Sequence, residues 1–230
     1  MTIQEMHIRF KLGLDKVDSF QLPNMLPEEI DLILNINIEQ FVRTRYGLNN
    51  VYREGFEGIE KRRADLRSLV VTTYITDNIT EVYKGLYTRQ LPDDFWFMLR
   101  EQIGLSGTFC GKQFGNPNDP TSFRRVGVNP TKLDEIQERL DDPFSRPNKA
   151  KVLSTIENNQ YTVYTDGSAV GLITLSYLKK PATVDLDNGV DCDLPDHTHQ
   201  EIIEQAVSWT LESIESGRFQ TQMAEVNKTE

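Results

Sequence analysis

Between Tyr161 and Arg218 the apolar residues change their spacing from every second to every third or fourth position, which limits the fold more than any other feature of the chain. Tyr161, Val163 and Thr165 alternate with Thr162, Tyr164 and Asp166, and Asp166-Gly167 offers positive-φ residues for a tight turn before Val170 to Leu178. That pattern predicts a β-hairpin. After the break at Lys179-Lys180-Pro181, Val184-Asp185-Leu186 and Val190-Asp191-Cys192 flank Asn188-Gly189, which predicts a second hairpin with a type I′ turn. Leu194-Pro195 then stops the extended chain, and Thr198 stands three residues before Glu201, the spacing of a capping box. The helix that follows should bury Ile202, Ile203, Ala206, Val207, Trp209, Leu211 and Ile214. Glu201, Glu204, Ser208, Glu212 and Glu215 should face water.

Upstream, Ile3, Met6, Phe10, Leu14 and Val17 predict a helix over Thr2 to Ser19. Pro23 and Pro27 interrupt it, and Pro27-Glu28-Glu29 opens a second helix where a missing N–H costs nothing and the helix dipole favours acids. Ile30, Leu34, Phe41 and Val42 form its buried stripe, with Asn37 set into it. A third helix is predicted near Phe56 to Ser68. Val70 to Ile75 and Glu81 to Tyr87 read as strands on either side of Asp77-Asn78, and the run Phe95 to Leu99 reads as core. Gly104 to Pro130 is rich in Gly, Asn and Pro without periodicity and predicts a long irregular loop. Thr131 to Leu140 predicts a short helix, and Asp142 to Pro147 an extended link.

Together these segments predict the α+β class: N-terminal helices packed with an antiparallel β-sheet made of hairpins, and a C-terminal amphipathic helix. Residues 1–216 read as a single compact domain with the irregular loop near 104–130, and 217–230 as a polar tail ordered only on assembly. The net charge of −10 argues against general affinity for nucleic acid or anionic membranes, both of which need a basic footprint. Cys110 and Cys192 stand apart without metal-type partners and read as free thiols of a reducing compartment. No window is apolar enough to span a bilayer, and the N-terminus lacks the apolar stretch of a signal peptide.

Four places invite a chemical reading, and each has a simpler one. His197 and His199 form a His-x-His pair that would hold zinc only with a third ligand from elsewhere, whereas a helix start already accounts for Asp196, Thr198 and Glu201. Asp185, Asp187, Asn188, Asp191 and Asp193 resemble a calcium loop, but the glycine comes one place early and no glutamate closes the set. Asp93-Asp94 are adjacent acids with no companion group. Gly104 and Ser106-Gly107 lack the lysine and helix of a phosphate cradle. The sequence therefore predicts no enzyme, no catalytic residue, no cofactor and no metal. Arg43, Arg45, Arg53, Lys61, Arg62, Arg63 and Arg67 are interleaved with Glu54, Glu57, Glu60 and Asp65, which reads as a salt-bridged face or as a basic patch for a partner.

Several segments in order along the chain resemble the head-tail connector proteins, the neck rings and adaptors, of crAss-like tailed bacteriophages. They are Glu5-Met6 with Phe10 and Leu14-Asp15-Lys16, Leu26 to Asp31 with Leu34-Asn35 and Phe41-Val42, and Leu91 to Phe95. Asp141 to Pro147, Tyr177 to Pro181 and Leu194 to Ile203 complete the set. The resemblance implies a non-enzymatic virion structural protein, assembled in the host cytoplasm. It implies a homo-oligomeric ring, twelve-fold in the family, that joins the portal protein to the next ring or the tail. DNA would pass through the lumen without sequence-specific binding, and no membrane is involved. Arg62, Arg63 and Phe219 are the residues offered as partner contacts. The alternative is a phage cargo, scaffold or other non-enzymatic binding protein.

Overall fold

The computed structural model describes residues 1–15, 25–47, 60–116, 119 and 121–213. In chain order its elements are α1 (Ile3–Asp15), α2 (Pro27–Tyr46), α3 (Glu60–Leu66), a 3-10 turn (Arg67–Leu69), β1 (Val70–Ile75), β2 (Thr80–Tyr83) and β3 (Leu86–Gln90). There follow β4 (Phe95–Phe109), β5 (Lys112–Phe114), β6 (Arg124–Pro130), α4 (Ile136–Asp141), β7 (Lys151–Glu157), β8 (Gln160–Tyr164), β9 (Ala169–Lys179) and α5 (Asp196–Ser213). The class is α+β. The chain divides into two units, one of Met1–Leu69 with Lys180–Glu230 and one of Val70–Lys179.

In the first unit, apolar residues at helical spacing meet around α5. Ile3, Met6, Phe10 and Leu14 of α1, Ile30, Leu34, Ile38 and Phe41 of α2, and Ile202, Ile203, Ala206, Val207 and Leu211 of α5 are all buried. Each such side chain contributes about 1.5–3 kcal/mol when fully withdrawn from water. Gly13 lets α1 approach α5, since a Cβ there would stand 2.8 Å from Val207 Cγ2. Asn37 is tolerated in the apolar stripe because its Nδ2 donates to the Ile33 carbonyl at 2.9 Å. Pro27 sits in the first turn of α2, and Glu29 accepts a hydrogen bond from the Leu26 amide at 2.8 Å. The described part of the first predicted helix ends at Asp15, and that of the third begins at Glu60.

Three expectations for this unit need correction. Thr198 does not cap α5: the helix already runs from Asp196, and the Thr198 hydroxyl, 1% exposed, donates back to the Pro195 carbonyl at 2.8 Å. Ser208 is buried and Trp209 is 41% exposed, so helical phase rather than side-chain hydrophobicity decides which of the two faces the core. The expected second hairpin is a four-residue loop closed by one Asp185–Val190 bridge. Gly189 has φ of 64°, but Asn188 is not among the positive-φ residues, so the turn is not type I′. Side chains on α2 pin this segment: Asn35 both accepts from the Val184 amide, at 2.8 Å, and donates to its carbonyl, at 3.0 Å.

The second unit is a curled sheet in the order β1-β9-β4-β6-β7-β8-β3-β2, with β5 paired to β4. All its ladders are antiparallel except β6–β7, which is parallel with α4 in the crossover. The predicted hairpin across Asp166-Gly167 is not formed. β8 pairs with β7 and β3, while β9 pairs with β1 and β4. Gly167 has φ of 95° and turns the chain, but the strands it joins separate across the curl. Two hairpins instead use Asn158-Asn159 and Cys110-Gly111, with all four residues at positive φ.

The irregular loop expected over 104–130 is mostly strand: β4 continues to Phe109 and β5 and β6 follow, leaving 115–123 as the link. Ile103, Gly104 and Leu105 are all buried, so this stretch is covered on both faces and shows no alternation. Phe123 packs against Gly104, where a Cβ would come within 2.7 Å of Phe123 Cβ and 2.8 Å of Leu172 Cβ. The aromatic run Phe95 to Leu99 is half-buried: Phe95 and Met98 pack against the core, while bulges at Phe95/Phe97 and Met98/Arg100 disturb the two-residue period. Trp96 and Phe97 stack on each other with ring centroids 4.7 Å apart. The core of the sheet is built by residues such as Ile103, Val152, Tyr161, Val163, Ile173, Leu175 and Tyr177. Residues 142–147 form a turn rather than an extended link, with the Ser145 and Arg146 amides both donating to the Asp142 carbonyl.

Candidate functional site

The two histidines that invited a metal reading are taken up by protein groups. His197 Nε2 lies 2.9 Å from Asp65 Oδ1, and His199 Nε2 donates to the Leu194 carbonyl at 2.8 Å. Burial holds the His199 imidazole below its ordinary pKa, so it sits neutral at pH 7. Asp65, 1% exposed, also faces Arg45, whose Nε is 3.2 Å from Asp65 Oδ2, an ion pair without hydrogen-bond alignment. Arg45 Nη2 donates to Glu201 Oε1, and its guanidinium stands 4.9 Å from the centre of the Phe41 ring. The arrangement joins α2, α3 and α5 by charge. Glu201, expected to cap its own helix, serves this network instead.

The acids of the calcium-like loop are likewise used by the backbone. Asp185 accepts from the Asn188 amide at 2.9 Å, which holds its carboxyl below the usual range, and Asp193 accepts from the Ala182 amide at 3.3 Å. Asp191 accepts from the Ile3 amide at 2.7 Å and so caps α1. Of the adjacent acids Asp93 and Asp94, the second accepts the Tyr177 hydroxyl at 2.8 Å. In the sheet interior Glu101 accepts from Ser154 at 2.8 Å and from Tyr161, whose phenol is pushed well above its ordinary pKa by burial and by that carboxylate. Among the described residues no group of three or more His, Cys, Asp or Glu is placed to hold a metal ion. Nor is any described helix long and apolar enough to cross a membrane.

What remains is surface. Arg62 of α3 is buried, whereas Arg63 is exposed and pairs with Glu60. Phe219 lies outside the described residues. The sequence reading missed Phe144, whose side chain is 95% exposed on the 142–147 turn. Asp142 Oδ1 accepts the Phe144 amide at 3.0 Å, and bonds from Ser145 and Phe144 hold the Asp142 carboxyl below its ordinary range. A rigid turn therefore presents an aromatic ring to solvent, and the Asp-Pro dipeptide was its sequence signal. On the helical unit, Ile8 and Leu12 of α1 and Leu32 and Ile36 of α2 are exposed at i, i+4 spacing opposite their buried stripes. Cys110 is exposed at its turn, and Cys192 is half-buried with its thiol pushed up to about 11 by burial.

Two comparisons with known proteins bear on these features. Residues 1–222 match the model of a family described as phage tail ring protein 3/4. Over 207 residues the chain is 24% identical to Ring protein 3 of Bacteroides phage crAss001, in an alignment covering 82% of this chain and 86% of that protein.

Proposed function

The chain belongs to the phage tail ring protein 3/4 family, and from that premise we propose that it is a non-enzymatic subunit of a homo-oligomeric ring in the head-tail connector of a virion. The family match along residues 1–222 carries this reading, because it spans both units rather than one shared module. In the proposal the ring is twelve-fold, is assembled in the host cytoplasm, and joins the portal protein to the next ring or to the tail. DNA passes through its lumen. The net charge of −10 supports this, since a predominantly acidic protein repels translocating DNA instead of retaining it. Phe144, Arg63 and Phe219 are assigned to contacts with neighbouring chains; Arg62, being buried, is assigned to the interior.

The test is light-scattering mass with negative-stain imaging of the purified chain, alone and mixed with the portal protein of the same phage. Rings, or portal particles capped by a ring, are the expected result. A chain that stays monomeric and does not bind the portal would remove the portal-joining role and favour the cargo or scaffold reading.

A further inference from the structure

β1 and β2 follow one another in the chain, separated only by residues 76–79, yet they stand at opposite ends of the strand order. Five backbone steps reach at most about 17 Å, so the sheet curls until its two ends nearly meet. They do not pair. Among the described residues, no strand partners the outer edge of β1 or of β2. The curled sheet thus has an open seam.

Three observations bear on what the seam can accept. β1 reads Val70-Val71-Thr72-Thr73-Tyr74-Ile75, with no charge and no proline, so it lacks the devices by which soluble proteins guard an exposed edge. β2 begins opposite Thr88, so that among the described residues the end of β3 has no neighbour on that side. There a groove runs between Thr73 and Ile75 on one wall and Arg89 to Asp93 on the other. Arg89 shares the face of buried Tyr87 two residues earlier and lies opposite Tyr161 in the ladder. Among the described residues its Nε is buried with no hydrogen-bond partner, a costly state that an incoming acid would relieve.

We propose that the seam is filled by the C-terminal segment of a second copy of this chain, residues 219–225, added as a strand along β1 with Glu225 against Arg89. The inference rests on the ring reading above. Phe219, Thr221 and Met223 alternate with Gln220 and Gln222, the two-residue period of a strand with one apolar face, and Glu225 follows in the same phase. The segment thus brings an acid to Arg89, in a groove whose one acidic lining residue, Asp93, is itself exposed. Strand addition of this kind takes its affinity from main-chain hydrogen bonds and its register from alternate side chains. With each copy giving one segment and receiving another, the contact is heterologous and closes when the rotation per subunit fits a ring.

The direct test titrates a labelled synthetic peptide of residues 217–230 into the chain truncated after residue 216, followed by fluorescence anisotropy. Saturable binding is expected, at least about tenfold weaker with Arg89→Glu, which corresponds to about 1.4 kcal/mol. Arg89→Gln serves should the charge reversal fail to fold. In parallel, full-length Thr73→Cys and Met223→Cys chains, both also carrying Cys110→Ser, are mixed and oxidised. A disulfide-linked pair formed only in the mixture is the expected product. Absence of both saturable peptide binding and the linked pair overturns the proposal even where wild-type rings are seen. A link formed within one chain carrying both cysteines, and not between the singly substituted chains, overturns exchange between copies. Peptide binding and crosslinking with no wild-type rings would instead uphold the seam and refute the ring reading.

Discussion

Arg45→Met tests the buried charge network that joins α2, α3 and α5. The side chain of Arg45 is 7% exposed, and its partners Asp65 and Glu201 are 1% and 14% exposed. Loss of the guanidinium leaves Glu201 able to turn toward water, but strands the Asp65 carboxylate in the interior with His197, at 2.9 Å, as its remaining partner among the described residues. Breaking a buried pair from one side costs about 3–5 kcal/mol, because an uncompensated charge remains. That is a large share of the roughly 5–15 kcal/mol by which proteins are stable. With a urea slope of about 2.5 kcal/mol/M, the unfolding midpoint should fall by about 1–2 M. Circular dichroism at 222 nm reports the helices directly. The double variant Arg45→Met, Asp65→Leu removes both charges and should recover most of the loss, giving a coupling of about 2–3 kcal/mol. A single variant with an unshifted midpoint, or a double variant whose costs simply add, would refute the assignment.

Three further outcomes are expected. Gly104→Ala should lower stability by about 1–3 kcal/mol, since the new methyl meets Phe123 and Leu172 in a filled core; an unchanged melting temperature would mean the sheet relaxes around it. His199 is held neutral in the fold by burial, so below the ordinary histidine pKa the unfolded chain binds a proton that the folded chain refuses. Its stabilising contribution is therefore full above about pH 6.5 and declines as pH falls below that, by at most about 1.4 kcal/mol per pH unit. His199→Gln should flatten this slope in melting curves between pH 8 and 5.5, and an equally steep slope would exclude His199 as its source. Phe144→Ser should leave unfolding within about 0.5 kcal/mol, as exposed positions do, while lowering the fraction of chain recovered in rings by size-exclusion light scattering. A large fall in stability would show that the ring is structural to its own chain.

Local order was legible in the sequence wherever one face of an element is buried. The helical stripes of α1, α2 and α5 follow from Ile3, Met6 and Phe10, from Ile30, Leu34 and Phe41, and from Ile202, Ala206 and Leu211. The segments of β1, β8 and β9 were also readable, but their partners were not, because alternation reports a face and carries no information about which strand lies alongside. Asn158-Asn159 was a readable turn signal that the stronger Asp166-Gly167 dipeptide obscured. β4 near Ile103 to Leu105 escaped because burial on both faces removes alternation, and its glycines suggest a loop. The Arg45, Asp65 and Glu201 network joins residues far apart in sequence, where charge spacing along one helix gives no sign of it. The candidate surfaces were the least legible. Phe144 and the unpaired edge of β1 depend on what the rest of the chain leaves uncovered, whereas the likeness to phage connector proteins was carried by short segments spread along the chain, and the family match extends over residues 1–222.

The central claim is that this chain is a ring subunit of a virion neck. Cryo-electron microscopy of intact particles, with cyclic averaging about the tail axis, tests it most directly. The account predicts a closed ring between portal and tail whose repeating density accepts the helical unit and the curled sheet, encircling DNA. Virions whose neck contains no density for this chain, or purified virions from which mass spectrometry shows it to be absent, would contradict the account.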